Sequence, residues 1–91
     1  MDKRRYRELE RILKGVASHR RMQIVDLLSK QAELSVFDIA EHLSIDFRTV
    51  SEHLRKLTGA GLVMKRNEGA RVCHALTKRG KVILKFCRTL E

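Results

Sequence analysis

Proline is absent from this chain of 91 residues, and cysteine and aromatic residues are scarce. The two cysteines, Cys73 and Cys87, are too few for a disulfide framework and suit a reducing compartment. No segment approaches the run of about 18 apolar residues that a membrane span needs, and the charged amino terminus lacks the apolar segment of a signal peptide. We therefore expect a cytoplasmic protein with no membrane partner.

Catalytic motifs are missing as well. The chain has no glycine-rich loop to cradle a phosphate, no nucleophile elbow, and no Asp, His and Ser at a spacing that identifies a catalytic set. Aromatic residues make up 4% of the chain, which leaves little for stacking RNA bases. Packing explains Tyr6, Phe37 and Phe86 better, and only Phe47 is a candidate for exposure. The sequence thus predicts neither an enzyme nor an RNA-binding protein, and it indicates no cofactor.

Positive charge is what the chain has in excess, with a formal net charge of +9. Such a balance suits a polyanionic partner. The charge is uneven, because residues 22–45 hold one basic and four acidic side chains, whereas residues 46–71 hold six basic and three acidic ones. A surface that binds a polyanion is therefore expected within residues 46–71 and at the two ends of the chain.

The hydrophobic pattern predicts one domain over residues 1–91 that begins with three helices. The first, over about 2–14, carries an apolar stripe and is expected to end at Gly15. Its stripe consists of Tyr6, Leu9, Leu13 and Val16. Ser18 is suited to cap the second helix. The inward positions of that helix are Met22, Ile24, Val25 and Leu28. Ser35 and Asp38 have the spacing of a capping box at the start of a short third helix.

A fourth helix follows the turn at residues 44–46 and is capped by Asp46. Val50, Leu54 and Leu57 lie at positions i, i+4 and i+7, so one face of this helix belongs to the core. The other face carries the candidate DNA-contacting residues, which are Arg48, Thr49, Ser51, Glu52, Arg55 and Lys56. Helix, short turn and helix in this order are typical of a helix-turn-helix, whose second helix enters the major groove of duplex DNA.

Two strands, Leu62–Arg66 and Arg71–Leu76, are predicted around a turn at residues 67–70. Alternation places Val72, His74 and Leu76 on one face of the second strand and Cys73 on the less buried face. Basic residues flank the tip, and they are suited to contact phosphates. These are Lys65, Arg66 and Arg71. The hairpin completes a mainly α fold, the winged helix-turn-helix, with the order α-α-α-α-β-β-α.

A last helix over about 78–90 carries a second apolar stripe, which is Ile83, Phe86, Cys87 and Leu90. This stripe either folds back on its own domain or pairs, together with the first helix, against a second copy of the chain. We favour the homodimer, since twofold symmetry would present two recognition helices to one face of DNA.

Three motifs make the chain similar to the ArsR/SmtB-type winged-helix transcriptional repressors. Lys14–Val25 resembles that family's K-A-L-S-D-P-T-R-L-R-I-L, with Arg21 at its arginine. Thr49–Leu57 matches T-V-S-x-H-L-x-x-L at every fixed position. Gly61–Val63, Glu68–Gly69 and Val72 follow the pattern G-L-V…E-G-R-x-V-x-Y-x-L, with His74 in place of its tyrosine. The resemblance implies a homodimer that binds duplex DNA and regulates transcription.

The chain departs from the metal-sensing members of that family. Their E-L-C-V-C-D-L corresponds to residues 33–39, where Ser35 and Phe37 replace the two cysteines, and residues 77–91 contain no histidine or aspartate. We therefore predict a non-metal-sensing branch, with no metal site and no identifiable small-molecule ligand. His53 is expected to be packed and hydrogen-bonded rather than to read bases. The alternative function is a winged-helix module for protein interaction, or a DNA-associated protein without operator specificity.

Overall fold

The computed structural model describes all residues, Met1–Glu91, and has five helices and one two-stranded antiparallel sheet. The elements are α1 (Lys3–Val16), α2 (His19–Lys30), α3 (Val36–Leu43), α4 (Phe47–Gly59), β1 (Val63–Glu68), β2 (Arg71–Leu76) and α5 (Lys78–Thr89). This is the predicted order. None of the helices combines the length and the hydropathy that crossing a membrane would require.

Each helix begins at a side chain that accepts a backbone hydrogen bond, which satisfies one of the free N–H groups of the first turn. The capping residues are Asp2, Ser18, Ser35, Asp46 and Thr77. The predicted capping box of α3 is present in full. The N–H of Asp38 donates to Ser35 Oγ at 3.2 Å, and the N–H of Ser35 donates to Asp38 Oδ2 at 3.0 Å.

A single hydrophobic core lies where the helices meet the base of the hairpin. The predicted faces of α2 and α4 supply much of it, and the residues that complete it are Ile12, Val16, Ile39, Ala60, Leu62, Val63, Leu76 and Leu84. Met22 is an exception to the predicted pattern, because its side chain is exposed on the solvent side of α2.

Gly15 does not break the first helix, which continues to Val16. A Cβ atom at Gly15 would lie 2.5 Å from Ala60 Cβ, closer than two carbon atoms can approach. Glycine at this position therefore allows the end of α1 to pack directly against the end of α4.

The last helix packs on its own domain through one face only. Leu84 is its buried apolar side chain, and Ile83 is partly buried against the core. A Cβ atom at Gly80 would lie 2.1 Å from the backbone oxygen of Leu62, so only glycine permits this contact between α5 and the start of the hairpin. The rest of the predicted stripe is left open, since Phe86 is 52% and Leu90 71% exposed.

The hairpin is longer on its first strand than predicted, because Glu68 pairs with Arg71 and only Gly69 and Ala70 remain for the turn. The predicted burial of β2 side chains was wrong at two positions. Cys73 is 2% exposed, whereas Val72 is exposed. Both faces of β2 are covered over residues 73–76, where the strand lies against α2, α3 and α5. Buried and exposed residues do not alternate in a strand that is covered on both faces.

Candidate nucleic-acid interface

The outward face of α4 carries every side chain predicted for the recognition helix. Val50, Leu54 and Leu57 are buried, so successive residues 100° apart turn the others to solvent. The exposed set is Arg48, Thr49, Ser51, Glu52, Arg55 and Lys56. Asp46 holds the start of the helix, since its carboxylate accepts the N–H groups of Arg48 at 3.0 Å and Thr49 at 3.3 Å.

Of the three basic side chains on this face, one forms an ion pair within the chain and two do not. Arg55 donates through Nε to Glu52 Oε2 at 3.1 Å and through Nη2 to the other carboxylate oxygen. The guanidinium lowers the pKa of Glu52, which keeps this carboxylate ionised. Arg48 and Lys56 form no ion pair within the chain. Arg48, in the first turn, is therefore the arginine of α4 that is free to meet another partner.

The two wing arginines are tied to acidic residues before and within α3. Arg66 Nη1 lies 2.6 Å from Glu33 Oε1, and Arg71 pairs with Asp38. The Ser35 backbone N–H and hydroxyl, then Arg71, lower the pKa of Asp38. Both arginines keep about half of their side-chain surface exposed, so each retains donors that face solvent. Sequence reasoning named the arginines but missed their carboxylate partners.

Lys65 connects the wing to the recognition helix. It lies on the rim of a groove of about 210 Å³ between α4 and the hairpin, together with Ser51 and Arg55. It has no carboxylate partner. The three predicted wing cations are thus all at the surface, and Lys65 shares this groove with residues of the outward face of α4.

Arg21 of α2 connects α4 to the end of α1 through hydrogen bonds. Its Nε donates to His53 Nδ1 at 3.2 Å, and its Nη1 donates to the carbonyl oxygens of Gly15 at 3.1 Å and Lys14 at 3.3 Å. Burial and then the charge of Arg21 lower the pKa of His53, so the ring stays neutral and accepts this bond. The prediction of a packed, hydrogen-bonded His53 is confirmed. The arginine in the motif at the entry to α2 was the signal for this contact.

An aromatic pair at the start of α3 and α4 was not expected. The rings of Phe37 and Phe47 lie 4.7 Å apart with a 42° tilt, and Phe37 is 73% exposed. The interpretation of Phe37 as a packing residue was wrong. Val36 and Ile39 are the residues of this end of α3 that pack on the core, and Phe37 lies on the solvent side of the helix, in contact with Phe47.

The histidines and cysteines are dispersed. His74 is buried, and its Nδ1 lies 3.1 Å from the carbonyl oxygen of Leu34. Cys73 is buried beside it, Cys87 is partly buried on α5, and His42 is exposed. No three His, Cys, Asp or Glu side chains of the chain lie close enough together to hold a metal ion.

Comparison with known proteins supplies the deciding observation. A family model described as "Bacterial regulatory protein, arsR family" matches residues 18–65, which run from the cap of α2 into β1. The chain belongs to the arsR family of bacterial regulatory proteins. The proteins of this family that it resembles are transcriptional regulators rather than enzymes.

Individual members of the arsR family agree with this assignment. The arsenical resistance operon repressor of Staphylococcus aureus is 39% identical over 64 residues, 70% of this chain. The match covers 61% of that repressor, so the chain spans less than two thirds of its relative. HlyU from Vibrio cholerae is 31% identical with a TM-score of 0.84, over 99% of this chain and 97% of that one. The homodimeric winged helix-turn-helix DNA-binding domain of a possible ArsR-family regulator from Mycobacterium bovis has a TM-score of 0.87 at 28% identity, over 99% and 86% of the two chains. The fold is a winged helix-turn-helix.

The terminal helices carry the apolar residues predicted to form a dimer. Tyr6 and Leu13 of α1 are exposed, as are Phe86 of α5 and Leu90, which directly follows α5. The remaining three, Leu9, Ile83 and Cys87, are partly buried. Arg79 of α5 lies 3.5 Å from Glu8 of α1, so the two helices are neighbours in one protomer.

Proposed function

We propose that this arsR-family protein is a sequence-specific regulator of transcription, a repressor that binds an inverted-repeat operator in duplex DNA as a homodimer. The observation that carries the proposal is the outward face of α4. It combines an unpaired Arg48 in the first turn with Thr49, Ser51 and the Glu52–Arg55 pair, all exposed above a buried apolar face. A helix that only packed against protein would not need this set of hydrogen-bonding groups at its surface.

Base reading falls to the first turns of α4. The fork of Arg48 is suited to the O6 and N7 atoms of guanine, and Ser51 lies one turn further along the same face. Glu52 already binds Arg55, so this pair acts as a unit. In the complex with DNA, Arg55 then contacts a phosphate. Alternatively, Glu52 accepts a hydrogen bond from a cytosine amino group and Arg55 contacts a base. Lys65, Arg66 and Arg71 of the wing supply phosphate contacts that position the domain without reading sequence.

Dimerisation uses α1 and α5. Phe86 and Leu90 leave much apolar area in water in a single protomer, and burying such area drives association. The homodimeric state of the Mycobacterium bovis domain, which has the same fold, supports the same assembly here. Two recognition helices related by a twofold axis would lie about 34 Å apart, so the half-sites should be centred about ten base pairs apart.

The deciding experiment is selection of DNA by the purified protein. Random duplexes retained through several rounds are sequenced. An enriched inverted repeat, with half-sites one helical turn apart, is the expected result. Retention of duplexes without any enriched sequence would contradict operator specificity and favour a general DNA-associated protein. Failure to retain DNA would favour a protein-interaction module.

The dimer interface is tested by Phe86→Asp, which places an unpaired charge in the proposed seam. Sedimentation of wild-type protein at micromolar concentration should give a dimer, and the variant should be monomeric and lose operator binding. Lys81→Asp is the matched control, since Lys81 lies about 140° around the same helix and is exposed. A wild-type monomer, or an intact variant dimer, would contradict the assignment.

A further inference from the structure

Two exposed aromatic rings form a patch at the front of the helix-turn-helix. Phe37 lies in the first turn of α3, and Phe47 is the first residue of α4. Their centroids are 4.7 Å apart, and the two rings are 73% and 42% exposed. Contact between the rings restricts the orientation of each, so the patch is pre-formed. Clustered exposed apolar groups of this kind mark interaction sites.

The patch is continuous with the proposed DNA-reading face, because Phe47 directly precedes Arg48. The rings themselves offer no donor to a phosphate, and the neighbouring cations have other roles, since Arg48 is assigned to base reading and Arg71 belongs to the wing. Residues 35–47 contain no Lys or Arg. Asp38 is paired with Arg71, and the Asp46 carboxylate is occupied by the backbone N–H groups of α4. The phenyl rings carry no charge and no hydrogen-bonding group, so a ring at the start of a helix in the major groove is suited to apolar partners.

The apolar group that the major groove offers is the 5-methyl of thymine. We propose that Phe47 packs against thymine methyl groups at the operator and that Phe37 positions the Phe47 ring for this contact. The inference rests on the proposed function, and it adds an apolar specificity element to the hydrogen-bonding face that begins at Arg48. It also gives a role to the exposed aromatic pair, which lies outside the terminal helices assigned to the dimer.

The test uses the selected operator and replaces thymine by deoxyuridine, one position at a time. Uracil lacks the methyl group but pairs in the same way. Loss of one buried methyl should weaken wild-type binding about three- to fourfold at one or two positions in each half-site. Phe47→Ala should weaken binding to the thymine operator by a similar factor and should no longer distinguish thymine from uracil. Phe37→Ala should reduce the discrimination in part.

Met22→Ala is the matched control, since Met22 is an exposed apolar side chain of α2 outside the helix-turn-helix. It should keep full discrimination. Equal affinity of the wild-type protein for thymine and uracil operators would overturn the inference while leaving the proposed function intact. A weaker dimer for Phe37→Ala without DNA would also overturn it, because a second copy would then cover the patch. Absence of any enriched operator would overturn both proposals.

Discussion

The contribution of the wing to DNA affinity can be predicted quantitatively. Its two arginines are paired with carboxylates in the free protein, and DNA has to compete with these pairs. Arg71 binds Asp38 in the free protein and keeps about half of its side chain exposed. Exposed ion pairs of this kind contribute about 0–1 kcal/mol, so a phosphate can compete for the guanidinium. Replacing Arg71 by Ala removes one phosphate contact from each protomer. Each wing should lose one charge-assisted hydrogen-bonded contact, offset in part because binding no longer has to break the ion pair with Asp38.

The salt dependence measures the same contact without reference to absolute affinity. Each neutralised phosphate contributes about 0.9 to the slope of log K against log salt, so two lost contacts make the slope about 1.8 units shallower. Between roughly 50 and 200 mM salt, wild-type affinity should therefore fall about twelvefold more than that of the variant. Fluorescence anisotropy with operator and with random duplex measures both effects, and the losses should be equal on the two DNAs.

Two controls separate charge from structure. Arg71→Lys keeps the charge, so the slope should return to the wild-type value even where the geometry of the contact is worse. Arg88→Ala removes an exposed arginine of α5 that also pairs with an aspartate, Asp26, but lies outside the wing and α4. An unchanged slope for Arg71→Ala, or an equal change for Arg88→Ala, would refute the assignment of the wing to phosphate contact.

The remaining predictions concern base reading and stability. Arg48→Ala should cost about 1–3 kcal/mol on the operator and relax one position per half-site; equal losses on random DNA would show that it contacts only the backbone. Gly80→Ala should destabilise the fold by about 1–3 kcal/mol in thermal unfolding because its Cβ meets a backbone oxygen, whereas Gly59→Ala, with open space around it, should not destabilise it. Burial lowers the pKa of His74 below its ordinary value, so the folded state binds fewer protons than the unfolded state. Stability should then be complete above about pH 6.5 and fall as the pH drops below it, by up to about 1.4 kcal/mol per pH unit. Urea midpoints at several pH values should show this loss reduced in His74→Tyr, and an unchanged loss would rule out His74 as the group responsible.

Local sequence signals predicted the elements well because their causes are local. A cap needs only a side chain and the backbone up to three residues away, which is why Ser18, Ser35 and Asp46 marked the starts of three helices. The outward face of α4 followed from the spacing of its buried residues, and a helical face is set by that spacing alone. The family motifs in turn identified the winged helix-turn-helix before any contact was known.

Burial was less predictable where a second element decides it. Alternation along β2 predicted that Cys73 lies on the less buried face. Cys73 is instead buried, because helices distant in sequence cover both faces of the strand. Phe37 is apolar, yet it is 73% exposed, because the core is covered by its neighbours Val36 and Ile39 on the other side of α3. From the sequence alone, Gly15 is predicted to end the first helix. Its role is instead in packing, because Ala60 lies too close for any residue with a Cβ atom.

What the sequence by itself determined was therefore the order of elements, their caps, the family and the set of basic residues that face outward. What only the tertiary structure decided was how those residues are paired. The contacts of Arg66 with Glu33, and of Arg21 with His53, join residues more than 30 positions apart. Sequence patterns report neighbours within a few turns of the chain, whereas an ion pair depends on the three-dimensional path that brings two distant side chains within about 4 Å.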